Sequence, residues 1–217
     1  MNDVFIILYG FLGVVIGYLL RLLVNWLEID KFKIHNNNYI IEVLCSSLFV
    51  WSFLKMPIND AIIFSLISST LVAIGVVDFY TMQIPLLFII AGTIFTFAGI
   101  VIGEIAWISV FWGVFVGAVI PSIILAITWL ISKRQGMGFG DIQMGIVLGA
   151  WLGPVRMALT LFGASVLSLI TWVLISVYKG FDSNRALPFA PFLAVTGIGI
   201  YIGSVYYPSF FHLLIIR

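Results

Sequence analysis

The sequence predicts an all-α, polytopic membrane protein with about eight transmembrane helices. Three observations carry that expectation. Hydrophobic residues make up 63% of the 217-residue chain and charged residues only 9%, against about 25% charge in a soluble domain. The mean hydropathy is +1.23. Apolar runs close to the roughly 20 residues that a spanning helix needs recur along the chain, with Lys, Asp, Gly and Pro at the breaks. A surface so poor in charge cannot face water. The net charge of +1 creates no strong field, so nucleic acid is not an expected partner and the lipid bilayer is. With no internal repeat and no soluble domain, residues 1–217 read as one membrane-embedded domain.

The first run, 4–27, is interrupted by Arg21. No basic stretch precedes it and no small-x-small cleavage site follows, so it reads as a retained helix and not a signal peptide. Residues 28–38, with Asn36, Asn37 and Asn38, form a short polar loop. A second run covers about 39–55 and ends at Lys55-Met56-Pro57. The third, about 61–77, ends at Asp78. The fourth, about 85–103, opens on Pro85, where a missing N–H costs nothing. The fifth, about 105–131, is closed by Lys133 and Arg134. A sixth, 141–153, rises only about 20 Å as helix and stops at Gly153-Pro154. The seventh and eighth cover about 155–178 and 187–211.

Basic residues set the orientation, because Lys and Arg are retained on the cytoplasmic side. The odd-numbered loops carry Arg21, Lys31, Lys33, Lys133, Arg134, Lys179 and Arg185. The even side, with both termini, carries Lys55, Arg156 and Arg217. Seven against three places the odd loops in the cytoplasm. Small residues recur at four-residue spacing, as Gly13/Gly17, Gly99/Gly103, Gly113/Gly117, Gly145/Gly149 and Gly199/Gly203. That spacing lets helix backbones approach closely in lipid. It accounts for packing within the chain and leaves a homodimer open. No metal or cofactor site is expected. The single cysteine, Cys45, reads as a small buried residue, and His35 and His212 read as solvated histidines near loop or chain ends.

Two carboxylates break this pattern. Asp78 follows Val76-Val77, and Asp141 follows Gly136-Met137-Gly138-Phe139-Gly140. A carboxylate at the centre of a membrane helix costs roughly 2.5–3.5 kcal/mol on insertion scales. The fourth and fifth runs form a hairpin between the two, so both return to one face, the cytoplasmic one on the charge count. Paired aspartates can hydrolyse a peptide bond. One, charged, takes a proton from water. The other, protonated, polarises the carbonyl and later protonates the leaving amine. The glycines keep the chain irregular before Asp141, which then opens a helix where the dipole favours negative charge. Asp78 ends a helix, where the dipole disfavours it. Asp141 is therefore expected to be the more acidic member and Asp78 to hold the shared proton. Other readings stand beside this one. Asp141 as a helix cap with Asp78 as an interfacial residue is a purely structural alternative, and a carboxylate-based, proton-coupled transporter is a functional one.

Gly136 to Asp141, followed by Leu148-Gly149-Ala150-Trp151-Leu152-Gly153, resembles the type IV prepilin peptidases, membrane aspartyl proteases of the Gly-x-Gly-Asp class. Asp78, with Ile84-Pro85 downstream, resembles their first aspartate motif. Leu187-Pro188-Phe189-Ala190-Pro191 resembles their Pro-Phe-Gly-Pro segment, with Ala190 in place of glycine. The resemblance covers about residues 40–205. It implies that Asp78 and Asp141 are the catalytic pair, supported by Gly138, Gly140, Pro85, Pro188 and Pro191. It further implies removal of leader peptides from pilin-like precursors at the cytoplasmic face of a bacterial inner membrane, in pilus assembly or protein secretion. A related protease acting on other membrane segments is the alternative within that class. Relatives often carry a larger loop after the first helix, with two Cys-x-x-Cys pairs, and methylate the new N-terminus with S-adenosylmethionine. Here loop 28–38 has no cysteine. Glu42 is the residue that could match a glutamate of that region; a helix acid capped by a loop donor is the other reading. S-adenosylmethionine is expected only if methyl transfer is retained, and the departures argue against it. The family's lysine two places after the second aspartate is Gln143 here.

Overall fold

The computed structural model describes residues 3–29, 32–35, 38–132, 138–182 and 185–214, and every regular element among them is helical. Asn36, Asn37, Lys31, Lys133, Arg134, Gly136, Met137 and Arg217, used above, and the side chain of His212 lie outside the described residues. The chain forms two compact units, Met1–Ala106 and Trp107–Arg217. Four helical stretches are long and apolar enough to cross a membrane: Val4–Leu27, Ile58–Thr81, Trp107–Ile131 and Phe139–Lys179. Leu86–Ile102 and Ala190–Tyr206 are shorter apolar helices. The protein is an all-α, polytopic membrane protein.

The first unit contains α1 (Asp3–Leu27), α2 (Ile40–Lys55), α3 (Ile58–Thr81) and α4 (Leu86–Ile102). Helices α1 and α2 approach backbone to backbone. A Cβ added to Gly17 would lie 2.6 Å from the Cα of Glu42, and one on Gly13 would meet the backbone of Cys45 and Ser46. Hydroxyls supply polar ties that lipid cannot. Ser46 donates to the Gly10 carbonyl at 3.0 Å, and the Ser52 and Ser65 hydroxyls join α2 to α3 at 2.7 Å. Helix α3 packs against α1, α2 and α4 and is buried along most of its length, including Ser65, Ser68, Ser69 and Thr70. Cys45 is fully buried. Loop 28–38 is held back on α1 by Asn25, which accepts from the Ile34 amide at 2.7 Å and donates to its carbonyl at 3.2 Å.

The second unit contains α5 (Trp107–Val114), a π-helical turn (Phe115–Val119), α6 (Ile120–Ser132), α7 (Phe139–Lys179), α8 (Ala190–Tyr206) and α9 (Pro208–Leu214). The α5–π–α6 rod crosses α7 at two glycine pairs. A Cβ on Gly113 would collide with the carbonyl of Gly149, and one on Gly117 with the carbonyl of Gly145; the reverse substitutions collide in the same way. Pro121 explains the π turn, since it lacks the N–H that would bond to the Gly117 carbonyl in a regular helix. Thr196 of α8 donates to the Thr160 carbonyl of α7 at 3.2 Å.

Several boundaries differ from the sequence reading. The third helix does not stop at Asp78 but runs to Thr81, so the aspartate lies in its last turn. The break read at Gly153-Pro154 is present: within Phe139–Lys179 (α7) the backbone leaves the helix at Gly153, whose φ of 74° and ψ of 176° are closed to other residues, so two helical segments meet there at a kink. Pro154 removes one further bond there. The part before the kink rises only about 21 Å. The last run breaks at Tyr207, ahead of Pro208. Gly103 is not on a helix face; it caps α4 at φ 90°. Gly199 and Gly203 face open space, so no packing among the described residues accounts for that pair. Arg21 lies inside α1, buried, and not in a loop. His35 is exposed within loop 28–38, as expected.

Candidate active site

Each unit presents a buried aspartate at a helix end. Asp78 is 5% exposed, in the last turn of α3. That helix ends because Met82 adopts the left-handed conformation at φ 53°, and its amide donates to the Asp78 carbonyl at 2.8 Å. A left-handed residue after the last turn is a common way to stop a helix. The chain then turns through Gln83 and Ile84 to Pro85, which caps the start of α4 in an extended conformation and precedes the first helical residue. The ring of Tyr80 stacks on Phe32 of loop 28–38, with centroids 4.9 Å apart. This short loop thus packs beside the turn that carries Asp78. Glu28 and Lys33 pair across it at 2.6 Å, and the ammonium holds the exposed Glu28 carboxyl below its ordinary range.

Asp141 is 8% exposed and is the third residue of the first turn of α7. Its Oδ2 accepts a hydrogen bond from the Gly138 amide at 3.1 Å. This closes the start of the helix by reaching back to the capping residue. Gly138 is extended, at φ −74° and ψ 147°, as expected before Asp141, but Gly140 is already helical. What Gly138 supplies is room. A Cβ there would sit 3.1 Å from Asp141 Oδ2. Pro188 precedes α8, Phe189 caps it, and Pro191 lies in its first turn. Proline fits there because the first amides of a helix have no intrahelical partner.

Among the described residues, Glu42 takes no loop donor. Its Oε1 lies 2.9 Å from Arg21 Nε, joining α2 to α1. Sequence reasoning had both residues and missed the pair. The signal was available, since two opposite charges facing an apolar environment on consecutive helices have a strong reason to meet. At the kink of α7, Trp151 stacks on Tyr201 at 4.8 Å, and the Arg156 guanidinium lies 5.3 Å from the same ring.

The fold and these two carboxylates define a class: a multi-helix membrane protein with acidic groups held at helix ends. The model of the type IV leader peptidase family matches residues 65–173, a span that includes both aspartates, and the chain belongs to that family. It is similar to prepilin leader peptidase/N-methyltransferases. One from Pseudomonas putida is 36% identical over 86 residues, 39% of this chain and 30% of that protein. One from Aeromonas hydrophila is 26% identical over 146 residues, 61% and 46% respectively. One from Neisseria gonorrhoeae is 30% identical over 124 residues, 54% and 38%. The chain thus spans less than half the length of the curated relatives it matches. No solved structure matches it.

Proposed function

We propose that this protein is a membrane aspartic endopeptidase that removes leader peptides from type IV prepilin-like precursors, with Asp78 and Asp141 as its catalytic pair. The observation that carries the reading is the burial of both carboxylates at helix ends inside the family-matched segment. Two crossings, α4 and α5–α6, separate the end of α3 from the start of α7, which supports one shared side of the membrane. The excess of Lys and Arg in the odd loops supports the cytoplasmic side of a bacterial inner membrane.

In this reading Asp141 is the charged partner, since Gly138 N–H and the helix dipole stabilise its anion. It takes a proton from a water whose oxygen attacks the scissile carbonyl carbon. Asp78, protonated at the unfavourable end of α3, donates toward the carbonyl oxygen. Collapse of the tetrahedral intermediate breaks the C–N bond, and a proton passes to the leaving amine. Methyl transfer, the other activity in the relatives' name, is not part of the proposal. Loop 28–38 has no cysteine, and Glu42 is engaged with Arg21.

Coexpression with a prepilin-like precursor tests the proposal. Wild type is expected to yield the shortened product, and Asp78→Asn and Asp141→Asn to leave the precursor intact. Uncut precursor with wild type would move the substrate elsewhere. Cutting that survives both substitutions would remove the dyad.

A further inference from the structure

Beyond Asp78, helix α3 loses its packing. From Ala61 to Asp78 most residues are buried, whereas Phe79, Tyr80 and Met82 are 62%, 54% and 57% exposed. The last turn is closed by its own hydrogen bonds. The Met82 amide donates to the Asp78 carbonyl at 2.8 Å, and the Thr81 hydroxyl to the Val77 carbonyl at 2.8 Å. Such bonds at an exposed helix end open readily, because ends fray. Asp78 belongs to the turn that would fray.

A contact from loop 28–38 bears on that turn. Phe32 stacks on Tyr80, with ring centroids 4.9 Å apart and planes 20° apart. The loop can hold Tyr80 because it is itself anchored. Ile34, two residues after Phe32, is buried. Asn25 of α1 accepts from its amide at 2.7 Å and donates to its carbonyl at 3.2 Å. The Phe32 amide donates to the Ile29 carbonyl at 2.7 Å. A short path therefore runs from α1 through Asn25, Ile34 and Phe32 to Tyr80, two residues past Asp78. Residues two apart on a helix point to nearly opposite sides. The stack thus acts on the turn and not on the carboxylate itself.

We infer that Phe32 and Tyr80 are positioning residues for Asp78, with Asn25 fixing the loop that carries Phe32. Their effect on rate rests on the leader-peptidase reading; the clamp on the helix end does not. Neither ring touches the reacting atoms. The stack keeps the last turn of α3 wound, and the wound turn keeps the carboxyl in place. When the turn opens, Asp78 is misplaced, and displacements of about 1 Å can cost roughly a hundredfold in rate. Loss of the clamp therefore falls on kcat and spares KM.

Amide hydrogen exchange of the full-length protein in detergent reads the clamp without a substrate. Phe32→Ala, and Asn25→Ala at the far end of the path, are each expected to speed exchange at Tyr80, Thr81 and Met82 about threefold or more, the scale of an aromatic pair. Phe32→Tyr keeps the ring and is expected to exchange as wild type does. The middle of α3, from Ser65 to Ala73, keeps its protection in all three. Cleavage of a prepilin-like precursor reads the consequence. Both alanine variants are expected to lose about threefold to tenfold in kcat with KM nearly unchanged, Phe32→Tyr to retain wild-type kcat, and Tyr80→Leu to add little to Phe32→Ala. Unchanged exchange in Phe32→Ala overturns the inference whether or not any precursor is cut. Faster exchange with wild-type kcat overturns it too, as does a loss confined to KM, or protection lost throughout α3. If Phe32→Ala does not fold, Tyr80→Leu, at an exposed position, takes its place in both measurements. A wild-type protein that cuts no precursor counts against the leader-peptidase reading, and the exchange result still decides the clamp.

Discussion

Met82 shows how a single residue sets the site. Its φ of 53° costs about 1–2 kcal/mol for a side chain with a Cβ, while glycine there would lose about 0.5–1 kcal/mol of backbone entropy. The two nearly offset. Met82→Gly is therefore expected to leave the thermal midpoint in detergent unchanged or slightly raised, and Met82→Ile, β-branched at positive φ, to lower it. At Gly138 the issue is space. Gly138→Ala would press on Asp141 Oδ2 from 3.1 Å. The expected result is a fall in kcat of about tenfold or more with little change in thermal stability, because small displacements of a reacting group are costly. Equal losses in folding and kcat would contradict a positioning role. Asp78 and Asp141 were legible in the sequence because each interrupts an apolar run. Met82 was not, since nothing in its side chain favours the left-handed region. The bond from Gly138 to Asp141 was half legible: the glycines announced an irregular entry, but not which amide the carboxylate would reach.

At the level of helices, the glycine pairs divide into two kinds. Gly113 and Gly149, and Gly117 and Gly145, sit where added carbons would meet backbone carbonyls. Gly117→Ala or Gly149→Ala is expected to destabilise the protein by about 1–3 kcal/mol, the cost of overpacking. Gly199→Ala enters open space and is expected to gain up to about 1 kcal/mol from helix propensity. Chemical denaturation in mixed micelles distinguishes them, and equal effects at both sites would refute this packing account. Spacing alone listed these glycines but could not rank them, because the periodicity is the same whether or not a partner helix is there. The same limit explains α7. Gly153-Pro154 signalled a break, and the backbone does leave the helix there; what spacing could not give is the angle of the kink, which belongs to the packing of α7 against α5 and α8. The π turn was missed in the 105–131 run, because Pro121 lies beyond the turn that it disrupts. Loop 28–38 was read as short and polar; its anchorage to Asn25 and Tyr80 needed the structure.

For the whole molecule, composition was enough for the fold class, because a chain with 9% charged residues has no other way to cover its surface. Sidedness rests on fewer residues. With Arg21 inside α1, six basic residues oppose three, and the bias survives. In a Cys45→Ser background, single cysteines at Lys33 and Arg185 are expected to be shielded from an impermeant thiol reagent added outside the cell, while one at Glu104 reacts. Reversed labelling would turn the active site outward. The proposed hydrolysis requires Asp78 and Asp141 to act together. Its most direct test is cleavage of a prepilin-like precursor by the purified protein carrying Asp78→Asn, Asp141→Asn or both. Groups acting as a unit are non-additive. Each single change is expected to lower kcat/KM by at least about a thousandfold, with the double variant no worse than either. Wild-type rates in either single variant, or losses that multiply in the double, would contradict it.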